Sequence, residues 1–364
     1  MIIIFYKMRC LLSVFISMFG FFVSYGQYTD QINSNRPGAS IGAFSVGKNV
    51  VQFEGGSELR TYKHRSYNNS KVNASIFFLS VRYGLLSEKI ELTYDGVYQF
   101  DKIENLLINT SAKSKRKGFL NNFLGIKYLV YDPFKKERKV NVYSWKANNG
   151  FKLRDLIPAV SVTLGGNFIL EKESPFPYGN VFDELRPPLF FGIPRNDSVE
   201  PRFTGKGILA TQSHFFGRWV FVTNFIYNRI SSDFPEFSYV LSWTHTINEK
   251  WSTYIETQNF SSDLYKDQIF RTGAAYLFSD DLQFEATLGF NTKNSPSIFF
   301  FNIGASYRLD FHKDVDPEVK LEEKLMKKEE RMYMKGAKKA QKADKKRNKK
   351  ARKKPKNDWN YWSN

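Results

Sequence analysis

The strongest constraint on the fold is an alternation of apolar and polar residues that recurs from Asn49 to Phe311. In the stretch VVQFEGGSELR, Val51, Phe53 and Leu59 fall on one face, and the residues between them are mostly polar. A period of two places successive side chains on opposite faces of a β-strand. About twelve segments show this pattern, each on the order of ten residues, the length that a tilted strand needs to cross a bilayer. They lie at 49–61, 72–84, 89–100, 119–130, 157–170, 203–213, 218–230, 236–247, 250–260, 268–278, 281–290 and 298–311.

Short and long connections alternate between the predicted strands. The turns near Leu86 and at 214–217, 248–250 and 279–281 are short, whereas most of the other connections are longer, at 101–118, 171–202 and 261–267. Short turns on one side and long loops on the other are typical of a bacterial outer-membrane barrel, with the short turns in the periplasm. The connection 131–156 is an exception, because it is long although the strand count places it in the periplasm. We expect an ordered periplasmic excursion there.

A secreted β-sandwich or propeller would share the alternation, but two features favour a membrane barrel. Aromatic residues such as Trp219 and Trp243 lie near the ends of the predicted strands, as in interfacial girdles. The last strand ends NIGASYRLDF, which places Tyr307, Leu309 and Phe311 at the spacing of the C-terminal β-signal of outer-membrane proteins. The sequence therefore predicts an all-β fold, an antiparallel transmembrane β-barrel of about twelve strands over residues 49–311.

The N-terminus has the order of an export signal. A basic start precedes an apolar run from Leu11 to Val23, and small residues precede Gln27. This order predicts a secretory signal peptide over residues 1–26; an N-terminal anchor helix is disfavoured because the apolar run is short. Cleavage would remove Cys10, the only cysteine, so no disulfide or thiolate site is expected in the mature protein. Residues 27–48 are then expected to form a periplasmic N-terminal segment.

Three stretches resemble a known family. NRPGASIGAFSVGKNVVQFEGGSE (35–58), YGLLSEKIELTYDG (83–96) and FLGIKY (123–128) are similar to the outer-membrane transporter proteins grouped with the MetA pathway of phenol degradation. Members usually carry Asp-Arg-Pro-Gly near the mature start, where this chain has Asn-Arg-Pro-Gly at 35–38. The resemblance extends over residues 33–311 in diffuse motifs. It implies a barrel that passes small or hydrophobic solutes, and it supplies no catalytic residues. The SYGQ cleavage region and the frequent Phe, Tyr and Lys resemble Bacteroidota proteins.

In an outer-membrane barrel the apolar face meets lipid and the polar face lines the lumen. By this phase, charged residues of both signs line the lumen: Glu54, Glu58, Arg60, Arg82, Glu91, Asp95, Lys127, Lys206, Glu256, Arg271, Glu285, Arg308 and Asp310. Either they pair across the lumen and largely fill it, which a barrel of about twelve strands permits, or they line a selective solute path. The apolar, proline-rich stretch 174–194 is the best candidate for a lid or gate. Alternatively, it forms a constriction packed against the barrel wall.

The favoured function is a channel or transporter for small solutes, including hydrophobic ones. The alternative is a non-transporting structural or scaffold barrel, accessory to an envelope complex. Neither an enzyme nor a cofactor is expected, because the sequence has no HExxH, no GxSxG and no phosphate loop. Among the histidines, His245 lies on a predicted strand, but it lacks the serine two residues later that barrel phospholipases use. The expected partners are outer-membrane lipid and the machinery that inserts barrels.

The C-terminal stretch 312–364 is expected to be a basic, partly helical periplasmic tail. Asp316-Pro317-Glu318 predicts a helix start, because an acidic N-cap and a proline at the first position favour one. Residues 335–356 then carry 13 basic residues against Asp344 alone. Such a run is usually a solvated arm.

The functional alternative for the tail is a tether to a periplasmic polyanion, such as peptidoglycan, anionic lipid or an acidic protein. The residues expected to bind are Lys345, Lys346, Arg347, Lys349, Lys350, Arg352, Trp359, Tyr361 and Trp362. The net charge of +18 would also suit nucleic acid. That partner is not expected, because an exported protein does not meet chromosomal DNA.

Overall fold

The computed structural model describes residues 31–65, 69–107, 110–134, 156–170, 176, 201–263, 265–312 and 317–351. Within these residues, twelve β-strands form a closed barrel in which each strand pairs antiparallel with its sequence neighbours and the last strand pairs with the first. The strands are β1 (Val50–His64), β2 (Ser70–Leu85), β3 (Ile90–Leu107), β4 (Thr110–Tyr131), β5 (Ala159–Phe168), β6 (Phe203–Phe215), β7 (Trp219–Ile230), β8 (Glu236–Thr246), β9 (Trp251–Ser262), β10 (Lys266–Ser279), β11 (Leu282–Asn291) and β12 (Ser297–Asp310). The predicted fold class is confirmed.

The barrel wall has the polarity of a membrane protein. Leu59 and Ile255 point outward with 63% and 64% of their surface exposed, whereas Glu54 and Glu91 point inward and are almost fully buried. A water-soluble fold buries its large apolar side chains and exposes its charges. Because the alternation puts the apolar residues outside on all sides of a closed barrel, the outer wall meets lipid.

One predicted loop is wrong. Residues 101–118, expected to connect two strands, belong almost entirely to β3 and β4, which pair with each other as far as Leu107 and Thr110. The sequence DKIENLLINTSAKSKRKG is mostly polar and has its few apolar residues at both phases, so it shows no sustained alternation. Beyond the hydrocarbon core of the membrane, a hairpin meets polar headgroups and water, and apolar alternation is therefore not required there.

The two ends of the barrel differ. At the end where β1 begins, the connections 86–89, 216–218, 247–250 and 280–281 are short. The opposite end carries the connection 169–202 and the long β3–β4 hairpin. Short turns are typical of the periplasmic side of outer-membrane barrels, so the first end is called the periplasmic end and the second the external end.

The C-terminal stretch contains one described helix, α1 (Pro317–Ala351), which forms a compact unit separate from the barrel. It begins at Pro317, the residue that was predicted to occupy the first helical position. No described helix is long and apolar enough to span a membrane. The proposed signal peptide at 1–26 and the aromatic residues Trp359, Tyr361 and Trp362 lie outside the described residues.

Candidate functional site

The lumen of the barrel contains the chain's own N-terminal segment. Residues 32–46, called the plug segment below, run inside the barrel and bond to inward-facing side chains of at least seven strands, from β1 to β12. The sequence analysis places residues 27–48 in the periplasm. The structure differs for 32–46, because these residues have lumen partners for their backbone polar groups. A segment without regular secondary structure can be buried only when other groups satisfy the hydrogen bonds of its backbone.

Four charged side chains bind the plug segment near the periplasmic end. Arg82 is bidentate to Glu91, with Nε–Oε1 and Nη2–Oε2 distances of 2.9 Å, and also donates to Glu54 at 3.1 Å. Lys127 lies 3.7 Å from Glu91. All four are fully buried. Removing one partner from such a network leaves a buried charge without compensation, so the group acts as a unit.

This charged group bonds directly to the plug backbone. Arg82 donates to the Asn33 carbonyl at 2.7 Å, and Lys127 donates to the Phe44 carbonyl at 2.7 Å. Glu91 accepts from the Val46 amide at 2.7 Å. The two ends of the plug segment are therefore held by one cluster of the barrel wall.

The middle of the plug segment is held by Glu256. Its Oε1 accepts from the Ala39 amide at 3.0 Å and its Oε2 from the Ser40 amide at 3.0 Å, while Arg271 donates to Oε1 at 3.0 Å. Gly38 lies so close that a Cβ there would overlap the Glu256 carboxylate. Only glycine permits this approach of the backbone to the carboxylate.

Neutral side chains complete the contacts. Asn224 accepts from the Ile41 amide and donates to the Ile41 carbonyl, both at 2.7 Å. Gln212 accepts from the Ala43 amide at 3.0 Å. The Pro37 carbonyl accepts from the Tyr254 hydroxyl at 3.2 Å and from the Thr287 hydroxyl at 2.9 Å. The plug segment thus has fixed partners over its whole length.

An aromatic group lies below the plug segment at the periplasmic end. Phe44 of the plug packs against Phe134 at 6.1 Å and against His214 at 5.8 Å between ring centroids. Phe134 belongs to the start of the excursion after β4, of which 135–155 lie outside the described residues. These contacts hold Phe44 of the plug segment against β6 and against the start of the excursion.

A cavity of about 310 Å³ lies above the plug segment, toward the external end. Its floor is formed by plug residues 36–39. One part of the wall is apolar, with Ile76, Ile269 and Phe300 from a buried cluster. The rest is polar, with these charged residues: Arg36, Glu58, Arg60, Lys206, Glu236 and Arg271. The volume lies at the lower end of the range for small-molecule sites, and the lining is more polar than is usual for them.

Cations and aromatic rings lie together in this cavity. The guanidinium groups of Arg60 and Arg271 lie 4.6 Å and 5.6 Å from the centroid of the Phe300 ring. Arg36 lies 4.0 Å from the centroid of the Phe78 ring. Arg60 pairs with Glu58, whereas no carboxylate of the described residues lies within ion-pair distance of Arg36. The cavity therefore offers positive charge beside apolar surface.

The predicted lumen residues all lie on the inward phase of their strands: Glu54, Glu58, Arg60, Arg82, Glu91, Asp95, Lys127, Lys206, Glu256, Arg271, Glu285, Arg308 and Asp310. Some hold the plug, and others line the cavity. Five neutral residues that also bond to the plug segment were not among the predicted lumen residues, because only charged residues were proposed: Gln52, Gln212, Asn224, Tyr254 and Thr287. Their inward phase in the alternation is the signal that would have found them.

Of the candidate gate 174–194, only Phe176 belongs to the described residues; it is buried, and the Arg116 guanidinium lies 5.1 Å from its ring centroid. Among the described residues, no three His, Cys, Asp or Glu side chains are grouped closely enough to hold a metal ion.

A closed barrel with an even number of antiparallel strands, a lipid-facing apolar wall and a charged lumen defines an outer-membrane β-barrel protein. The lumen contains the plug segment, with a cavity of about 310 Å³ above it. The chain belongs to the family of the MetA-pathway of phenol degradation, whose model matches residues 34–178 and 186–309. The match includes the Asn-Arg-Pro-Gly stretch and nearly the whole barrel.

Solved outer-membrane barrels are similar to this chain at low identity. An outer membrane channel from Pseudomonas putida is 14% identical over 76% of this chain and 100% of its own, with a TM-score of 0.45. The translocator domain of the autotransporter NalP from Neisseria meningitidis is 8% identical over 76% and 90%, with a TM-score of 0.41. The CymD monoaromatic hydrocarbon channel is 11% identical over 73% and 90%, with a TM-score of 0.34. The fold assignment rests on the strand pairing, since these TM-scores are low. A search of curated sequences gives no match.

Proposed function

We propose that this protein is an outer-membrane channel for small amphipathic solutes, and that the plug segment keeps it closed until it moves. The observation that carries the proposal is the cavity of about 310 Å³ directly above the plug. A barrel that served only as a scaffold would have no need of a cavity with this mixed lining. A solute that enters from the external end would rest on residues 36–39.

The lining of the cavity supports an amphipathic solute. Its apolar wall suits an aromatic or aliphatic body, and Arg36, Arg60 and Lys206 suit an anionic or strongly polar group. Burial of a polar group without a partner is costly, so a solute with one polar end and one apolar body fits best. The family's association with phenol degradation supports the same class, since a phenol has an aromatic body and one ionisable oxygen.

Movement of the plug segment is the proposed opening step. The plug and its bonding side chains occupy the periplasmic half of the lumen, so a solute in the cavity has no free path downward while they remain. Each backbone bond contributes about 0.5–1.5 kcal/mol, and bonds to charged groups about 1.5–3 kcal/mol. The closed state is therefore the resting state, and opening needs either a ligand or a pull on the plug.

A solute-uptake assay tests the proposal. Liposomes with the full chain should take up an aromatic carboxylate such as benzoate faster than a neutral sugar of similar size. Ser238→Trp should reduce benzoate uptake, because Ser238 lines the cavity and a tryptophan would fill much of it. Ser75→Trp is the matched control, since Ser75 points outward toward lipid. Equal uptake by both variants and the unmodified protein would contradict the role of the cavity.

A non-transporting scaffold barrel is the second candidate. The buried ion pairs among Glu54, Arg82, Glu91 and Lys127 favour it, because they fix the plug in the lumen. Planar-bilayer recordings separate the two candidates. A scaffold would show no conductance steps even in variants that weaken the plug, whereas a channel would show them.

For the rest of the chain, we propose export by the signal peptide at 1–26 and a periplasmic position for the tail. We also propose that the tail binds a periplasmic polyanion. The support is chemical: described side chains of α1 from Lys335 to Lys346 are exposed, and the sequence continues basic to Lys356. A helix exposed all round has no apolar face to bury against a core. Its charges are therefore available for a partner.

A further inference from the structure

We propose that the outer wall of β1 to β4 binds the phosphorylated headgroup of a glycolipid in the external leaflet of the membrane. Five lysines lie on this wall near the external end: Lys63, Lys71, Lys102, Lys115 and Lys117. They have the outward phase of their strands, so they face the lipid side and not the lumen. The site is separate from the lumen and is independent of the proposed channel function.

The strand register brings these lysines together. Lys63 lies opposite Lys71 across β1 and β2, and Lys102 lies opposite Lys115 across β3 and β4. Directly opposite residues have Cβ atoms about 4.5–5.5 Å apart, and like charges in this position are destabilising. Neighbouring strands are about 4.7–4.9 Å apart, so Lys102, Lys115 and Lys117 of β3 and β4 lie within reach of one multiply charged headgroup, and Lys71 and Lys63 lie on the next two strands of the wall.

Protein carboxylates do not balance this charge. In the part of the chain that the structure describes, Glu104 lies 3.6 Å from Lys102 and opposite Lys71 in the register, whereas Lys63, Lys115 and Lys117 have no carboxylate within ion-pair distance. Opposed like charges on a barrel wall are destabilising, and a bound anion would relieve this repulsion. A phosphate group supplies about two negative charges on acceptor oxygens, and lysine is a common partner of phosphate.

An aromatic patch lies directly below the lysines on the same wall. Phe77, Phe100 and Tyr98 are in edge contact, with centroids 6.0 Å and 5.0 Å apart, and Tyr98 contacts Phe119 at 4.9 Å. Lys117 lies opposite Phe100, so the charged group and the aromatic patch are adjacent. Aromatic side chains lie at membrane interfaces, next to headgroups. The wall thus offers positive charge at headgroup height and apolar surface at acyl-chain height, which points to a lipid rather than a soluble anion.

The test measures the binding of lipid A, a phosphorylated and multiply acylated glucosamine lipid, to the full-length protein in detergent. Lys102→Gln/Lys115→Gln/Lys117→Gln should weaken binding about a hundredfold, since each lysine near an anionic surface contributes roughly a fivefold effect. The arginine triple variant at the same positions should retain binding. The matched control removes three exposed cations at the opposite end of the barrel: Lys48→Gln, Arg218→Gln and Lys250→Gln.

Three outcomes decide the proposal. Loss of lipid A binding in the glutamine variant alone, with a heat-modifiable barrel as evidence of folding, supports it. Equal binding by the glutamine variant and the opposite-end control overturns it. Competition by inorganic phosphate with similar affinity, or equal binding of a dephosphorylated lipid A, also overturns it, because the site would then recognise a free anion or only an acyl chain.

Discussion

Neutralising Glu256 is the most direct perturbation of the plug segment. Glu256 accepts bonds from the Ala39 and Ser40 amides with its two oxygens. In Glu256→Gln, one oxygen becomes an NH₂ group that faces an amide donor, and the other loses its charge. Hydrogen bonds to charged groups contribute about 1.5–3 kcal/mol and neutral ones about 0.5–1.5 kcal/mol. The loss of one bond and the weakening of the other therefore cost the docked plug about 2–4 kcal/mol, or about 30- to 1,000-fold in the ratio of closed to open states.

Single-channel recording measures this ratio as open probability. Glu58→Gln is the matched control, because Glu58 is also a buried lumen carboxylate that pairs with an arginine, Arg60, and it has no bond to the plug. Each variant leaves one lumen arginine with a weaker partner: Arg271 in Glu256→Gln and Arg60 in Glu58→Gln. A rise in open probability in Glu256→Gln alone attributes the effect to the plug contact.

A chemical reporter gives an independent measure of the same step. Ser40→Cys introduces a thiol into the plug, and the only native cysteine, Cys10, lies in the predicted signal peptide. A charged maleimide should label this thiol faster in the Glu256→Gln background than in the Glu58→Gln background. Unchanged labelling and unchanged open probability in both variants would refute the claim that Glu256 holds the plug.

Three further predictions concern the plug, the last strand and the tail. Gly38→Val should raise conductance, because its side chain would overlap the Glu256 carboxylate; Gly336→Val, in open space on α1, should leave conductance unchanged. Phe311→Asp should block assembly, seen as loss of the heat-modifiable band in the outer membrane, whereas normal levels would contradict a β-signal ending at this residue. Truncation after His312 should leave the barrel folded and abolish co-sedimentation with peptidoglycan at low salt; for the full chain, this binding should fall as the Debye length drops from about 10 Å at 0.1 M to about 3 Å at 1 M.

The inward-facing charges were predictable because successive side chains of a β-strand point to opposite faces. Once the phase is fixed by outward residues such as Leu59, the positions of Glu54 and Glu58 follow without any knowledge of their contacts. The same rule does not reveal which charges pair. The bidentate contact of Arg82 with Glu91 depends on the β2–β3 register, in which Arg82 lies opposite Thr93 and two positions from Glu91.

The plug segment was not predictable from periodicity. Residues 32–46 have no regular secondary structure, so their sequence has no repeat that would reveal burial. The side chains that bond to the plug segment, such as Asn224 and Gln212, are ordinary polar residues of inward-facing strand positions. Nothing in their sequence distinguishes them from other inward-facing polar residues. The external β3–β4 hairpin was missed for the converse reason, since its strands extend beyond the membrane and lose the apolar face on which the prediction depended.

The sequence left two interpretations of the lumen charges, either ion pairs that fill the lumen or the lining of a solute path. Each interpretation fits a different height of the barrel. In the periplasmic half, Glu91, Arg82 and Lys127 form a buried ion-paired group whose remaining polar atoms bond to the plug backbone. In the external half, Arg36 and Lys206 face a cavity, and there the structure describes no carboxylate within ion-pair distance of either. Arg36 belongs to the plug itself, so displacement of the plug would remove both the floor of the cavity and one of its cations. A solute bound through that cation would contact the plug directly, so it would act on the position of the plug and would lose this contact as the plug moves.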